Sequence, residues 1–588
     1  MDSKHVTEST SGQEDIQKTW WKEAIIYQIY PRSFQDSDGD GIGDLNGITS
    51  RLDYIQSLGV DIIWLNPIFL SPNDDNGYDI SDYREIMREF GTMEDFDRLL
   101  KEIHKREMRL VLDLVVNHTS DEHPWFEEAR KSRHNPYYNY YHWWPAEKGE
   151  PPLRLSYFDE EGNAWTYNKP TDSYYLHYFS RKQPDLNWEN PEVRQEIFDM
   201  MRFWFDKGID GFRMDSISLI AKDPSFPLID SKKYPDSFSF YAKEPRLHLY
   251  LHEMNRQVLS KYDCMSVGEG SAVMVDDVAK FVDPAREELN MLYHFDAARI
   301  RNTTLPDNPE SGIDYSLIAL KKMFTEWDKA VDKGWPSIYL GNHDQPRMVS
   351  RFGSDKDEFR ALSAKMLITF LLTMRGTPYW FAGDEIGMRN IRFDHIEDYN
   401  DIDTINRYKK AKAEGKDPQA VLDEQKETGR DNARTPFQWD RSPEAGFTAG
   451  TPWLKVNPDY TWINVADEEK DPTSILNYFK KVVSFRKENP SLIYGSYHLL
   501  DAENPQSYTF LRKTGADTYL IMLNFSHKAA ISTPGIDMSN AHVLLDNYGD
   551  RSHMAPQKDI TLRPFEAIVF QLNHPVYESF IDSLDLLE

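Results

Sequence analysis

Three acids stand where chemistry could be done. Asp215 follows Arg213 in "DGFRMDSI" (210–217), Glu269 lies between two glycines in "CMSVGEG" (264–270), and Asp344 closes "PSIYLGNHD" (336–344). Cleaving a glycosidic bond takes one carboxylate to attack the anomeric carbon and a second, kept protonated, to supply the departing oxygen with a proton. Arg213 and Asp215 are two residues apart, so on a strand both project from one face. There the guanidinium would keep Asp215 ionised and fix its rotamer. Glu269, led in by the apolar "MSV", sits where partial desolvation raises a carboxyl toward the range a general acid needs. Met with no companions, the Arg–Asp pair would be an ion pair at a strand end. His118 and His343 also fall beside acids, in "DLVVNH" and "GNHD", and are expected to donate to sugar hydroxyls. No C-x-x-C, H-E-x-x-H, G-x-S-x-G or phosphate-loop pattern competes with this chemistry.

Those residues need a frame that brings distant segments together. Eight short apolar segments supply strands: 23–31, 61–67, 109–118, 210–217, 264–270, 290–296, 336–344 and 377–385. Amphipathic patterns such as "MEDFDRLLKEIHKRE" and "PEVRQEIFDMMRFWFDKG" separate them, the second stopped at Gly208. Alternation of strand and helix implies parallel pairing, and eight units favour an α/β fold of the (β/α)8 TIM-barrel type over a doubly wound sheet. Polar residues gather at the C-terminal strand ends, where barrel enzymes hold their chemistry: Asn117–His118, Arg213–Asp215, Glu269, Asn342–Asp344 and Asp384–Glu385. The barrel is expected over 20–118 and 187–500. Residues 119–186, rich in Trp and Tyr, would form an inserted subdomain after the third strand. A second insertion, about 388–430, carries a charged helical stretch whose charges should face solvent. Alternating strands over 501–588 predict a C-terminal antiparallel β domain, and 1–19 reads as a floppy tail.

The 588 residues carry 97 Asp plus Glu against 68 Lys plus Arg, a formal charge of -29 that repels nucleic acid and anionic lipid alike. The single cysteine, Cys264, excludes an internal disulfide framework and reads as a core residue. The polar opening stretch has no apolar core of a signal peptide, and "MLITFLLTM" is too short to span a bilayer, so it should be a core helix. The expectation is a soluble cytoplasmic protein, a monomer or weak homo-oligomer, with no membrane or nucleic-acid partner.

"DSDGDGIGD" puts carboxylates at Asp36, Asp38, Asp40 and Asp44, with the Ile42 carbonyl between the last two. Hard cations that take six or more oxygens are satisfied by such spacing, and the glycines let the loop curl. A structural Ca²⁺, or Mg²⁺, is expected there and no organic cofactor. The bidentate Glu of a full EF-hand is missing, so a calcium switch is not expected; the alternative is an Asp/Gly-rich solvent turn.

Together "DLVVNH", "GFRMD", "VGEG" and "GNHDQPR" resemble, in order and spacing, the four signature regions of the α-amylase superfamily, glycoside hydrolase family 13. The likeness runs from about Trp20 to residue 572. Through "WWKEAIIYQIYPRSF", "DNGYDISDY", "QPDLNWENP" and "RDNARTPFQWD" it is most similar to the oligo-1,6-glucosidase and α-glucosidase group. The resemblance implies a retaining mechanism on small α-glucosides, with Asp215 as nucleophile, Glu269 as acid/base and Asp344 gripping hydroxyls. It also implies that Asp75, Tyr78, His118, Phe179, Gln183, Arg213, His343 and Arg430 line the terminal-glucose subsite. Tyr78 would stack on the ring, and Asp75 with Arg430 would cap its far hydroxyls, making the enzyme exo-acting; Arg434 is the alternative to Arg430. Ser216 departs from the group, where Val accompanies α-1,6 preference and Thr or Ala α-1,4 preference, so an unusual linkage specificity is expected. Gly270 is expected to leave space beside the second subsite. Sucrose isomerases share this framework but carry an Arg/Asp-rich loop after the sixth strand; "FDAARIRNTT" keeps Arg299 and Arg301 without the alternating acids. Non-catalytic transporter-associated relatives lose the acids and gain a membrane helix, unlike this chain.

Overall fold

β-Branched and aromatic segments become strands because they pack well on a pleated surface covered on both faces. A computed structural model describes residues 18–158, 162–230, 232–233, 237–515, 517–552 and 557–572. In it the eight segments are β1 (Ile26–Ile29), β2 (Ile62–Leu65), β3 (Arg109–Val115), β4 (Gly211–Asp215), β5 (Met265–Glu269), β6 (Met291–Tyr293), β7 (Ser337–Ile338) and β8 (Thr377–Phe381). They pair in parallel in the order β6-β5-β4-β3-β2-β1-β8-β7. Side chains bridge β6 to β7: Ser337 Oγ donates to the Leu292 carbonyl at 2.9 Å and Tyr339 OH to the His294 carbonyl at 2.7 Å. Strand β7 is shorter than its apolar pattern suggests. Beyond it the Asp344 N–H turns back onto Asn342 Oδ1 at 2.8 Å, committing "NHD" to a loop.

Helices α1 (Met93–Lys105) and α2 (Pro191–Lys207) stand where their periodicity places them. A Thr92/Asp95 capping box starts the first, and Gly208, at φ 107°, ends the second. The segment holding "MLITFLLTM" is α3 (Arg360–Thr373), buried over nearly its whole length. Among the described residues no helix is long and apolar enough to cross a membrane.

Between β3 and α2 the chain makes a helix, Pro124–Ala129, and a three-stranded antiparallel sheet of Trp143–Pro145, Ser173–Leu176 and Trp165–Asn168. Lys222, on the loop after β4, fastens this insertion to the barrel. Its fully buried ammonium donates to Asn117 Oδ1 at 2.6 Å and pairs with Asp185 at 3.1 Å. After β8 comes a helical hairpin, α4 (Ile402–Ala413) and α5 (Pro418–Thr428). The C-terminal sheet runs β9 (Ser496–Leu500), β10 (Ser507–Thr514), β11 (Asp517–Asn524), β13 (Ala567–Leu572) and β12 (His542–Asp546), all antiparallel. It therefore starts slightly before 501. The expected tail, 1–19, falls almost wholly outside the described residues, as do 573–588.

Arg512 stitches that sheet to the barrel. Fully buried, it donates to the carbonyls of Thr373, Leu492, Ile493 and Gly495 at 2.5 to 3.2 Å. Arg512→Met would keep the volume and take the side-chain donor from the Thr373, Ile493 and Gly495 carbonyls, Leu492 keeping Arg486 Nη1 at 3.0 Å, at about 1–3 kcal/mol for each one left dry and unpaired. Urea unfolding should show a loss of about 3 kcal/mol or more; a change within roughly 0.5 kcal/mol would mean that the carbonyls find water instead.

Candidate active site

Strand register assembles the site. The β3–β4 ladder sets Asp113 beside Arg213 and Val115 beside Asp215, while β5–β6 sets Glu269 beside Tyr293. Arg213 is fully buried. Its Nη1 donates to Asp113 Oδ1 and Asp215 Oδ1, both at 2.7 Å; Nη2 donates to Glu269 Oε2 at 2.5 Å and Nε to Tyr293 OH at 2.9 Å. The Asp215 and Glu269 carboxyls thus share one guanidinium and influence each other's ionisation. Just past β4, Ser216 adopts φ 43°, a left-handed turn uncommon for a residue with a side chain, and points its N–H at Glu269 Oε2 (3.0 Å).

One cation serves three acids here. Burial pushes Asp113 and Asp215 up to about 6 while Arg213 pulls them back. Burial pushes Glu269 up to about 8; Arg213 opposes it, and the negative charges of Asp215 and Asp344 add to the rise. Near neutral pH Glu269 therefore holds its proton. Asp344 goes the other way: burial would raise it, but the Arg430, Arg434 and Arg213 charges outweigh that and hold it well below the usual carboxylate range. Burial keeps His118 and His343 neutral.

These groups open into a cavity of about 420 Å³. Asp75, Tyr78, His118, Phe179, Asp215, Ser216, Glu269, Asp344 and Arg430 line it. Arg213, Gln183 and His343 stand behind that wall instead. Gln183 Nε2 donates to Asp75 Oδ2 at 3.3 Å, and His343 Nε2 meets Tyr78 OH at 2.7 Å and Asp344 Oδ2 at 3.1 Å. Arg430 spans one end, with Nη2 3.3 Å from Asp75 Oδ1 and Nη1 3.2 Å from Asp344 Oδ1. Arg434 reaches Asp344 Oδ1 too, at 3.0 Å, but from a fully buried position outside the lining, so Arg430 is the residue that faces the cavity.

In the loop after β1, one carboxylate oxygen each from Asp36, Asp38 and Asp40 lies within 4.8 Å of the others. Asp44 is engaged elsewhere: it takes the Gly47 N–H at 2.7 Å, capping Leu45–Ser50, and the Ser37 N–H at 2.7 Å. Ile42 gives its N–H to Asp40 Oδ1 at 2.8 Å. Three carboxylates thus converge in this loop, with the fourth kept for the helix.

The alpha amylase catalytic-domain family matches residues 28–495. The chain belongs to the α-amylase family. It is a glycoside hydrolase with the family's TIM barrel. An oligo-1,6-glucosidase of Parageobacillus thermoglucosidasius is 51% identical over 95% of this chain and all of its own length. Among solved structures, trehalulose synthase from Pseudomonas mesoacidophila MX-45 superposes with a TM-score of 0.89 at 43% identity, covering 94% of this chain and 99% of that one. Isomaltulose synthase of Erwinia rhapontici NX5, in a mutant bound to sucrose, gives 0.89 at 43% identity over 95% of this chain and all of that one.

Sequence reasoning missed several residues of this α-amylase-family site. Asp113 and Tyr293, two of the Arg213 partners, carry no local signal beyond polarity inside apolar strands. Tyr157, Phe158 and Phe238 line the cavity from the insertion and from the loop after β4. Three expectations need correction. The hairpin charges do not all face solvent: Asp403, Arg407 and Glu424 line the cavity, because α4 and α5 pack over its mouth. Asp384 and Glu385 serve structure: Arg347 pairs with Asp384 at 3.3 Å, and Glu385 accepts from Tyr27 OH at 2.6 Å and Tyr54 OH at 2.8 Å. Gly270 leaves no open space, since a Cβ there would meet Leu292 Cδ2 at 2.8 Å and the Tyr293 carbonyl oxygen at 2.9 Å.

With Asp215 required ionised and Glu269 protonated, kcat/KM should follow a bell with limbs near pH 6 and 8. The sign for stability is separate. Folded Glu269 keeps its proton to about 8 against 4.5 ordinarily, so the stability it contributes is fully present below 4.5 and lost as pH rises to 8. Glu269→Gln escapes that loss. Its melting temperature should gain on wild type progressively between about pH 5 and pH 9, and a margin that stays constant would refute the buried proton.

Proposed function

We propose that this protein is a retaining, exo-acting α-glucosidase that removes the terminal α-linked glucose of disaccharides and short oligosaccharides of isomaltose, maltose or sucrose type. The observation that carries this reading is the pair Asp215–Glu269 at the base of a cavity whose far end Arg430 spans from Asp75 to Asp344. Asp215 attacks the anomeric carbon as the bond to the leaving oxygen breaks; that oxygen takes its electron pair and the Glu269 proton. Ionised Glu269 then takes a proton from water, whose oxygen attacks the same carbon and frees Asp215. Held ionised by Arg430 and Arg434, Asp344 accepts from glucose hydroxyls, with His118 and His343 fixed neutral around it. Tyr78, stacked on His343 at 5.3 Å and 6°, offers its face to the sugar ring, and Phe179 walls the same side. Ser216 would meet the second sugar, its small hydroxyl admitting more than one linkage.

The relatives divide this reading. Hydrolysis agrees with the oligo-1,6-glucosidase, whereas the two solved neighbours are sucrose-isomer synthases. Here the residues after β6 form the helix Asp296–Thr303, in which Arg299 lines the cavity mouth without the alternating acids of an isomerase loop; the Arg301 side chain lies outside the described residues. Incubation with maltose, isomaltose and sucrose should release glucose from each. Isomaltulose or trehalulose as the main product from sucrose would transfer the protein to the isomerases. Ser216→Val should raise the isomaltose-to-maltose rate ratio.

We further assign a structural Ca²⁺, or Mg²⁺, to Asp36, Asp38 and Asp40, where it would brace the loop after β1, and a cytoplasmic monomer or weak homo-oligomer. Calcium at 100 times its Kd stabilises by about 2.7 kcal/mol. Calcium should therefore raise the melting temperature over chelator-treated protein, and Asp38→Asn should abolish the rise. Identical melting with calcium and with chelator would remove the ion from this account.

A further inference from the structure

Arg430 is the guanidinium on which the glucose end of the cavity depends, yet its contacts there are its weakest. It lies 3.3 Å from Asp75 and 3.2 Å from Asp344. Its short contacts are with Asp401: Nε and Nη2 both meet Asp401 Oδ1, at 2.7 and 2.5 Å. Asp401 is fully buried and outside the cavity lining. Its other oxygen, Oδ2, caps α4, accepting the Thr404 N–H at 3.0 Å and lying 2.9 Å from Thr404 Oγ1. Its own N–H is held by Asp431 Oδ2 at 2.9 Å. One carboxylate therefore does two things: it starts the hairpin helix and sets the direction in which Arg430 points. Charge-assisted bonds this short fix orientation; those at 3.2 Å and beyond take what orientation is left.

We propose that Asp401 is a positioning residue for substrate binding, which aims Arg430 at the terminal sugar and ties that aim to the hairpin covering the cavity mouth. Helix α4 carries Asp403 and Arg407 at the mouth, and Thr404 Oγ1 lies 2.8 Å from Gln425 Oε1 of α5, itself a lining residue. The helix at the cavity mouth is thus capped by the group that orients Arg430. Arg430 pairs with Asp75, Asp344 and Asp401 rather than with the two acids that make and break bonds, so as a binding group its contribution is nearly equal in ground and transition states and shows in KM more than in kcat.

This inference rests on the glucosidase reading, and its test separates the two. Release of glucose by the wild-type enzyme checks the reading; the variants check Asp401. Asp401→Asn keeps an oxygen for the cap but removes the charge, and should raise KM about tenfold with kcat within about threefold. Asp401→Glu moves the carboxylate by one methylene and should shift KM in the same direction if the Asn variant does not fold. Thr404→Ala removes the hydroxyl contacts to Asp401 and Gln425 but leaves the Asp401–Arg430 pair, and should lower the melting temperature with KM much closer to wild type than in Asp401→Asn. Adding Arg430→Ala to Asp401→Asn should raise KM no further than Arg430→Ala does by itself. A wild-type KM in both Asp401 variants overturns the proposal, and so does a KM in Thr404→Ala as high as in Asp401→Asn, since hairpin integrity would then explain the effect.

Discussion

A single buried guanidinium organises this enzyme. Arg213 has no water to fall back on, so every donor it owns must find an acceptor in the protein. Asp113, Asp215, Glu269 and Tyr293 are those acceptors: Asp215 comes from the strand of Arg213 itself and the other three from β3, β5 and β6. One positive charge cannot support three buried negative ones, and the last carboxyl to ionise keeps its proton. That carboxyl is Glu269, whose rise to about 8 exceeds that of Asp113 and Asp215. The division of labour between nucleophile and acid thus follows from charge counting around one cation, with no need for two separate environments.

The rest of the molecule keeps that cluster dry and aligned. Parallel register places Asp113 next to Arg213 and Tyr293 next to Glu269; slipping either ladder by one residue would turn an acid out of the barrel. The insertion after β3, pinned by the buried Lys222–Asp185 pair, brings Phe179 and Gln183 over the strand ends. The hairpin after β8 brings Arg430. Asn406 on α4 donates to the Phe158 carbonyl of the insertion at 2.7 Å, so the two excursions from the barrel also hold each other.

Much of this could be read from the chain. Strand and helix periodicities are local, and all eight barrel strands and the buried helix α3 stand where apolar patterning put them. The acids were legible too, because a charge at the end of an apolar run has few other reasons to be there. What escaped was whatever depends on three-dimensional neighbours. Asp113 sits in mid-strand, and only the adjacent Arg213 gives it a purpose. Asp401 lies in a polar stretch that reads as a loop. Gly270 was misread for the same reason: its missing side chain suggested space facing the substrate, whereas the space is filled by Leu292 and the Tyr293 backbone. The hairpin charges misled because helical amphipathicity separates wet from dry, and a substrate cavity is itself wet.

The contacts of Arg430 with Asp75 and Asp344 shut one end of the chamber, which gives its traffic a direction. Whatever enters first must leave last. After cleavage the partner sugar stands in the doorway, blocking both the incoming water and the glucose held behind it, so it has to depart before deglycosylation can begin. Glucose then exits by the route the next substrate must use, and accumulated product competes for that doorway rather than acting from a distance.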